Sequence, residues 1–159
     1  VLSGSIILGL PLGETSGGAS GILQTGDGEF NQQIRLDVSH SFYPKPFYAS
    51  AYGAFNNRNE GFSDEIRGGA EVGYTSKRIV AIAKLSVVES LFNGSDNVAS
   101  NGVFSNNTEF VSPSIELAYL FKKGLGVSVS YATAFSGRNI LASPSLGVGL
   151  FYKLTPPGN

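Results

Sequence analysis

The chain has 159 residues, of which 42% are hydrophobic and 14% are charged, with 21 glycines, no cysteine and a net charge of -1. An average soluble domain carries about 25% charged residues, and a net charge so close to zero argues against nucleic-acid binding. No segment approaches the ~20 consecutive apolar residues that a transmembrane helix requires. A low charge content without such a segment is typical of a membrane β-barrel.

Eight segments of the chain alternate between apolar and polar residues, and we interpret them as β-strands. The clearest alternation runs from Phe30 to Phe42, where Ile34, Leu36 and Val38 share one face and polar residues lie between them. This segment is about twice as long as an average globular strand. In chain order, the predicted strands are Ser3–Leu12, Phe30–Phe42, Phe47–Phe55, Ile66–Tyr74, Ile79–Val88, Phe110–Phe121, Leu125–Phe135 and Ser145–Lys153.

The connections between these strands alternate between short and long. The predicted tight turns are Tyr43–Pro46, Thr75–Arg78 and Lys122–Gly124, and the predicted long loops are Gly13–Glu29, Asn56–Glu65, Glu89–Glu109 and Ser136–Pro144. Outer-membrane barrels have short periplasmic turns and longer extracellular loops, whereas soluble β-sandwiches do not normally sort their loops in this way. The pattern predicts a bacterial outer-membrane barrel with both termini in the periplasm. Because the long loops offer little apolar burial, we expect them to be mobile.

The charged residues follow the same division. The short turns and the end of the last strand carry only basic residues, namely Lys45, Lys77, Arg78, Lys122, Lys123 and Lys153. The long loops carry nine acids and two arginines. The remaining charges lie in mid-strand on the polar rows, at Arg35, Asp37, Arg67, Glu71, Lys84 and Glu116.

These six mid-strand charges are the candidate functional residues, because charges in a confined lumen must be paired or hydrated. The fourth and fifth strands are joined by a tight turn, which predicts an ion pair between Glu71 and Lys84, with Glu116 as a second partner of Lys84. In one interpretation the six residues form the constriction of a polar pore. In the other they fill the interior of an eight-stranded barrel, which is just wide enough for side chains.

Aromatic residues mark the two ends of the apolar rows. Those near the long loops are Phe30, Phe55 and Phe135, and those near the short turns are Phe42, Phe47, Tyr74, Tyr119, Phe121 and Tyr152. Girdles of aromatic residues at both interfaces are expected of a membrane barrel. The segments between the girdles have the length of a membrane strand, ~9–11 residues.

The sequence offers little for catalysis or metal binding. His40 is the only histidine, and it lies on the outward row, where an interface position explains it. The chain has no cysteine nucleophile and no Gly-x-Ser-x-Gly motif. The segment Gly26–Glu29 lacks the further oxygen ligands of a recognised calcium loop. We therefore expect neither an enzyme nor a bound cofactor or metal.

The segment Leu8–Gly13 reads Leu-Gly-Leu-Pro-Leu-Gly, and a glycine-rich loop leads from it to Thr25–Phe30, which reads Thr-Gly-Asp-Gly-Glu-Phe. This arrangement resembles the outer-membrane proteins of the MetA pathway of phenol degradation, relatives of the long-chain fatty acid transporter-like barrels. In that family the strand ends in Leu-Pro-Thr-Gly, and here Leu12 replaces the threonine. The resemblance implies a passive channel for hydrophobic or aromatic compounds. It also implies that the chain is the later part of a larger, roughly twelve-stranded barrel.

We therefore predict one domain, residues 1–159, folded as an antiparallel up-and-down transmembrane β-barrel, most simply of eight strands. The expected function is an outer-membrane pore or uptake channel for small solutes, hydrophobic or aromatic ones included. The alternative is a structural barrel with a salt-bridge-plugged lumen, whose loops Gly13–Glu29 and Glu89–Glu109 bind a protein partner or lipopolysaccharide. The expected partners are outer-membrane lipids, lipopolysaccharide and small solutes, without nucleic acid.

Overall fold

The structure is a computed structural model, and it describes residues 1–21, 24–96, 98, 105–121, 124–141 and 143–154. In these ranges the chain forms β-strands and one short 3-10 helix, so the predicted all-β class is confirmed. The strands are β1 (Leu2–Gly9), β2 (Asn31–Ser41), β3 (Phe47–Arg58), β4 (Glu65–Thr75), β5 (Ile79–Ser90), β6 (Glu109–Leu120), β7 (Leu125–Ala132), β8 (Ser136–Arg138) and β9 (Ser145–Tyr152), and the helix is Gly18–Ser20. No helix in the described part of the chain has the length and hydropathy to cross a membrane.

All of these strands belong to one antiparallel sheet. Strands β1 to β7 are neighbours in chain order, β9 pairs with β7, and β8 pairs with β6. This is the up-and-down order that the alternating connections predict. Within the described residues, β1 pairs with β2 alone and β9 with β7 alone. The sheet therefore has two open edges, and the closure expected of an eight-stranded barrel is not present in it.

Each predicted strand is present, although several begin or end a few residues away from the predicted position. β1 ends at Gly9, before Pro11, which has no backbone N–H to donate to a sheet. β3 continues three residues beyond its predicted end, to Arg58, and β5 continues to Ser90. These extensions carry polar side chains of the predicted loops into the sheet.

Parts of four predicted connections lie outside the described residues, including residues 22 and 23 of the loop Gly13–Glu29 and residue 142 of the loop Ser136–Pro144. Lys122 and Lys123 of the turn Lys122–Gly124 are among them, as are residues 97 and 99–104 of the loop Glu89–Glu109. The other tight turns are as predicted. In the turn before β5, the N–H of Ser76 donates to the carbonyl of Ile79 at 2.8 Å.

The predicted seventh strand is interrupted by a bulge and then continues as β8, inside the predicted loop Ser136–Pro144. In β7, Ala132 lies opposite Ser114 of β6, whereas in β8 Ser136 lies opposite Val111. The segment between them therefore contains one more residue than the facing segment of β6, which is the definition of a β-bulge. Within it, the hydroxyl of Ser112 donates to the carbonyl of Thr133 at 2.9 Å.

The two faces of the sheet differ in polarity and in exposure. On β2, the apolar side chains Ile34 and Leu36 are each 62% exposed, whereas Gln33 on the other row is 7% exposed. Arg35 and Asp37, also on that row, are half-buried. Soluble sheets bury the apolar row and expose the polar one, so the distribution here is inverted. We call the two sides the apolar face and the polar face.

The described residues contain very little apolar core. The buried hydrophobic residues among them are Ala54, Phe62 and Val88, and the two most deeply buried side chains, Asn56 and Ser63, are polar. Large apolar side chains remain exposed on every strand from β1 to β7 and on β9. The interior of this fold is therefore built from hydrogen bonds and ion pairs.

Candidate functional site

The six predicted site residues lie in β2, β4, β5 and β6, on the polar face. The strand register arranges them in levels across the sheet. Glu71 lies directly opposite Lys84, and Arg35 lies level with Arg67 on either side of Ala54. The polar rows therefore place these charges close together, as predicted, although they divide into separate pairs.

The first pair is formed within β2. Arg35 and Asp37 are two residues apart, so their side chains project from the same face. The Nε of Arg35 donates to both carboxylate oxygens of Asp37 at 2.9 Å. The guanidinium lies 3.7 Å from the ring centroid of Tyr52, in a cation–π contact. Tyr52 was not among the predicted site residues.

The second pair is the predicted one between Glu71 and Lys84, and it is confirmed, with Nζ 3.4 Å from Oε2. The other carboxylate oxygen, Oε1, accepts a hydrogen bond from the hydroxyl of Tyr48 at 2.5 Å. Tyr48 reaches this position because its ring lies across Gly73 on β4, where a Cβ would clash with the ring. Tyr52 lies across Gly69 in the same way.

The expectation that Glu116 is a second partner of Lys84 is wrong. The residue of β6 opposite Lys84 is Ser114, and Glu116 lies opposite Ile82, two residues further along. In the described part of the chain, the acid that pairs with Lys84 is Glu71. The turn between β4 and β5 is tight and fixes the register of these two strands. The connection before β6 is long and does not fix the register of β6 against β5.

These residues surround an open polar cavity in the middle of the face. Its volume is about 120 Å³, and its lining includes Arg35, Asp37, Glu71 and Lys84. The side chain of Lys84 is 43% exposed. The mid-face pairs, as we call the Arg35–Asp37 and Glu71–Lys84 pairs, are therefore hydrated. Their chemistry suits contact with small polar or charged solutes.

A second charged cluster lies at the end of the sheet that carries the long loops. Arg58 forms ion pairs with Glu29 and with Glu65, each at 2.7 Å, and its Nη2 lies 3.9 Å from Asp27. Arg67, the remaining predicted site residue of β4, binds the other oxygen of Glu65 at 2.6 Å. We call these five residues the loop-end network.

Three members of the loop-end network are much more deeply buried than the mid-face pairs, whereas Arg67 and Asp27 are 39% and 25% exposed. The side chains of Arg58, Glu29 and Glu65 are 7%, 4% and 3% exposed. All three residues are predicted to lie in long extracellular loops. Arg58 and Glu65 instead belong to β3 and β4, whereas Glu29 lies in its predicted loop and is buried there. A usable signal was the polar row of β3, which continues past the predicted strand end through Asn56 to Arg58.

The loop-end network borders a cavity of about 340 Å³. The lining of this cavity also includes Ser105 and Thr108, just before β6, and Phe110. The network contributes three carboxylates and two guanidinium groups, so the lining is polar with one excess negative charge. Such a cavity can hold several water molecules or one small polar solute.

The long loops beside this cavity are joined to one another by asparagine and serine side chains. The N–H of Ser63 donates to Oδ1 of Asn106 at 2.8 Å, and its hydroxyl donates to Oδ1 of Asn107 at 2.6 Å. Asn139, from the loop that contains β8, donates to the carbonyl of Asn106 at 2.8 Å. These hydrogen bonds hold the described parts of the long loops together without apolar burial, in contrast to the mobility expected from the sequence.

Asp64 belongs to the same set of loop contacts. Its Oδ1 accepts hydrogen bonds from the backbone N–H of Arg58 at 2.9 Å and from the amide of Asn57 at 3.0 Å. The amide of Asn93 donates to Oδ2 at 2.8 Å. Chiefly the hydrogen bond from the Arg58 backbone, and then the one from Asn93, lower the pKa of Asp64 below its usual value.

The structure also places the residues considered for other chemistry. His40 lies exposed on the apolar face, with its ring centroid 4.7 Å from that of Phe42. In the described ranges, no group of three or more His, Cys, Asp or Glu side chains is arranged to hold a metal ion.

Comparisons of the chain with protein-family models, with curated proteins and with solved structures find no match. The resemblance to the MetA-pathway and fatty acid transporter-like barrels therefore stays an expectation from the sequence.

Proposed function

We propose that this chain builds the wall of a β-barrel channel in the bacterial outer membrane, through which small solutes pass. The observation that carries the proposal is the inverted sheet, in which long apolar side chains are more exposed than charged ones. An apolar surface of this extent is unfavourable in water and is typical of contact with a membrane or another protein. In contact with the hydrocarbon of a membrane, the apolar face is not exposed to water and this unfavourable free energy is absent.

Strand length and aromatic residues also support a membrane position. β2 to β6 have 11 or 12 residues, close to the ~9–11 that a tilted strand needs to cross the hydrocarbon layer. Near the short turns, the ring of Phe47 lies 5.1 Å from that of Tyr74, and Tyr119 lies 5.1 Å from Phe121. Rings at this level suit the membrane interface. The short turns then face the periplasm and the long loops face outward.

The two open edges determine what kind of barrel the sheet would form. In hydrocarbon, the unpaired N–H and C=O groups of β1 and β9 must find partners, because no water is present to bind them. Direct pairing of β1 with β9 would give an eight-stranded barrel, and the interior of such a barrel is narrow enough to be filled by side chains. Pairing with additional strands would give a wider wall with an aqueous channel. Our proposal is the wider wall, because β1 and β9 do not pair with each other among the described residues.

The polar face indicates which solutes such a channel would favour. Its mid-face pairs are hydrated and balanced in charge, which suits small polar solutes. In the proposed orientation the loop-end network lies near the extracellular end, where the buried ion pairs of Arg58 with Glu29 and Glu65 would support the long loops. Hydrophobic or aromatic solutes are implied by the family resemblance alone.

Conductance in planar lipid bilayers tests this proposal. We expect stepwise conductance from the purified, refolded protein, and swelling of protein-loaded liposomes in small sugars or amino acids. A folded, inserted protein that gives neither signal would contradict the channel. Protein refolded in detergent but unable to enter bilayers would contradict the membrane position itself.

A second candidate function rests on the interlocked loops. The hydrogen bonds among Ser63, Asn106 and Asn139 hold three loops together, and a cover of this kind suits a plugged barrel whose outer surface binds a partner or lipopolysaccharide. The same recordings separate the two candidates. An inserted but silent protein would favour the plugged barrel.

A further inference from the structure

A groove crosses the apolar face at the end that carries the short turns. Its volume is about 250 Å³ and its lining is apolar. The floor is formed by Ala81 and Ala83 of β5, which lie opposite Tyr74 and Val72 of β4, and Ala83 also lies opposite Ile115 of β6. Methyl side chains between longer ones on both neighbouring strands leave an indentation that runs along β5.

Both ends of this groove are defined. Away from the turns, the next outward residue of β5 is Leu85, which lies opposite Ala70 and fills the row again. Towards the turns, the rings of Phe47 and Tyr74 stand beside the groove. On the side of the turns the row of β5 continues with Ile79, so the groove is a short apolar indentation between Leu85 and Ile79.

Three cations lie in the turns beyond this end of the groove. Lys77 and Arg78 are in the turn that leads directly into β5, and Lys45 is in the turn that leads into β3 beside Phe47. All three side chains are exposed, and none of them forms an ion pair among the described residues. The N–H groups of Arg78 and Ile79 donate to the hydroxyl of Ser76 at 3.4 and 3.1 Å, which holds the turn in place.

We propose that this groove is a binding site for an anionic phospholipid. One acyl chain lies along Ala81 and Ala83, and the headgroup phosphate lies between Lys45, Lys77 and Arg78. The inference rests on the proposed membrane position of the sheet. It follows from charge complementarity, because unpaired cations at the membrane surface attract anionic lipids and the groove beneath them is apolar. The opposite end of the apolar rows meets loops that are rich in acids, so this site has no counterpart there.

The occupant is a phospholipid because of the side on which the cations lie. The short turns face the periplasm in the proposed orientation, and the leaflet on that side consists of phospholipids. A headgroup that carries only a zwitterion would leave the three cations without a net counter-charge. A phosphatidylglycerol headgroup supplies it.

Native mass spectrometry of the full chain tests the site. The protein is equilibrated with equal amounts of phosphatidylglycerol and phosphatidylcholine that have identical acyl chains. We expect one phosphatidylglycerol to be retained in preference to phosphatidylcholine. Lys77→Gln and Arg78→Gln should each lower this preference about fivefold. Lys153→Gln, at an exposed lysine outside the site, is the matched control and should leave the preference unchanged.

The groove itself is tested by filling it. Ala83→Leu, and separately Ala81→Leu, should reduce the retention of phosphatidylglycerol. Ala51→Leu adds the same volume to the apolar face of β3, outside the groove, and should not. Equal retention of the two lipids by the unmodified protein would overturn the site, as would equal loss in Ala51→Leu and Ala83→Leu.

The same samples are recorded in planar bilayers, which separates this inference from the channel. Conductance without lipid preference overturns only the lipid site. Lipid preference without conductance supports the site and overturns only the channel. A protein that does not enter bilayers overturns both.

Discussion

The mid-face pairs and the loop-end network both consist of basic side chains paired with carboxylates at the polar face, yet they differ in their surroundings. The Glu71–Lys84 pair is half-exposed and lies in an open cavity, whereas Arg58, Glu29 and Glu65 are almost completely buried. Exposed ion pairs contribute little to stability because water competes for both partners. Buried charges are very costly if one partner is removed. The comparison therefore assigns solute contact to the first cluster and structural support to the second.

The strongest way to break this comparison is to remove Arg58. Arg58→Ala leaves the buried carboxylates of Glu29 and Glu65 without their shared partner, so we expect the free energy of unfolding to fall by about 3–5 kcal/mol. Urea unfolding in lipid or detergent measures this change. The matched change Arg35→Ala in the mid-face pairs should cost about 0–1 kcal/mol. Equal losses in the two variants would abolish the distinction between the clusters.

A charge added to β2 compares the hydrated polar face with the apolar face behind it. Val38→Arg places a cation on the apolar face, and Ser39→Arg places one beside the mid-face pairs. We expect Val38→Arg to cost about 2–4 kcal/mol near the membrane midplane, and Ser39→Arg to be tolerated. The measurement is the free energy of unfolding in lipid vesicles. Equal costs on the two rows would contradict the membrane position of the apolar face.

The variant Lys84→Ala tests whether the mid-face pairs contact the solute. The free energy of unfolding should change by no more than about 1 kcal/mol, because the pair is exposed to water. Conducting channels should become more selective for cations, since Glu71 then lacks its counter-charge. Reversal potentials in a salt gradient measure this selectivity, with Ser86→Ala on the same row of β5 as the control. A large loss of stability without conductance would instead favour the plugged barrel.

The smallest expected effect concerns acid and the loop contacts beside the loop-end network. The folded-state pKa of Asp64 lies below its usual value of 3.8. Its hydrogen bonds therefore add stability that is fully present above that value and is lost as the pH falls through the lowered, folded-state pKa. The free energy of unfolding of Asp64→Asn should lack this acid-dependent component, whereas Glu60→Gln, in the same loop, should retain it. Identical pH profiles of Asp64→Asn and the unmodified protein would contradict this role.

The sheet could be predicted from the sequence because its period of two is almost uninterrupted. In β2 the apolar residues Ile34, Leu36 and Val38 define one face of the strand, so the residues between them must lie on the other face. A shift of one residue would exchange the two faces. The Glu71–Lys84 pair was predictable for the same reason, because a tight turn sets the register of β4 and β5. Both predictions depended on short-range order in the chain.

The loop-end network could not be predicted in this way. Arg58 lies opposite Asn31 in the register of β2 and β3, two residues from Glu29, but both Arg58 and Glu29 fall in predicted loops, beyond the predicted strand ends. Loops that are ordered by asparagine and serine hydrogen bonds show no periodic pattern, since amide groups such as that of Asn106 bond wherever a partner is in reach. The position of Glu116 failed for a related reason, because a long connection does not fix the register of the strand that follows.

The bulge between β7 and β8 shifts the register of β8 on β6 by one residue. Were the register of β7 to continue unbroken, Gly137 would lie opposite Glu109. Because the bulge contains one additional residue, Arg138 lies opposite Glu109 instead, and its Nε is 3.4 Å from the carboxylate of Glu109. Side chains of β8 that an uninterrupted strand would direct to one face thus project from the other. Deletion of a single residue such as Ala134 would therefore turn the side chains of β8 to the opposite face of the sheet, although the sequence of β8 itself would not change.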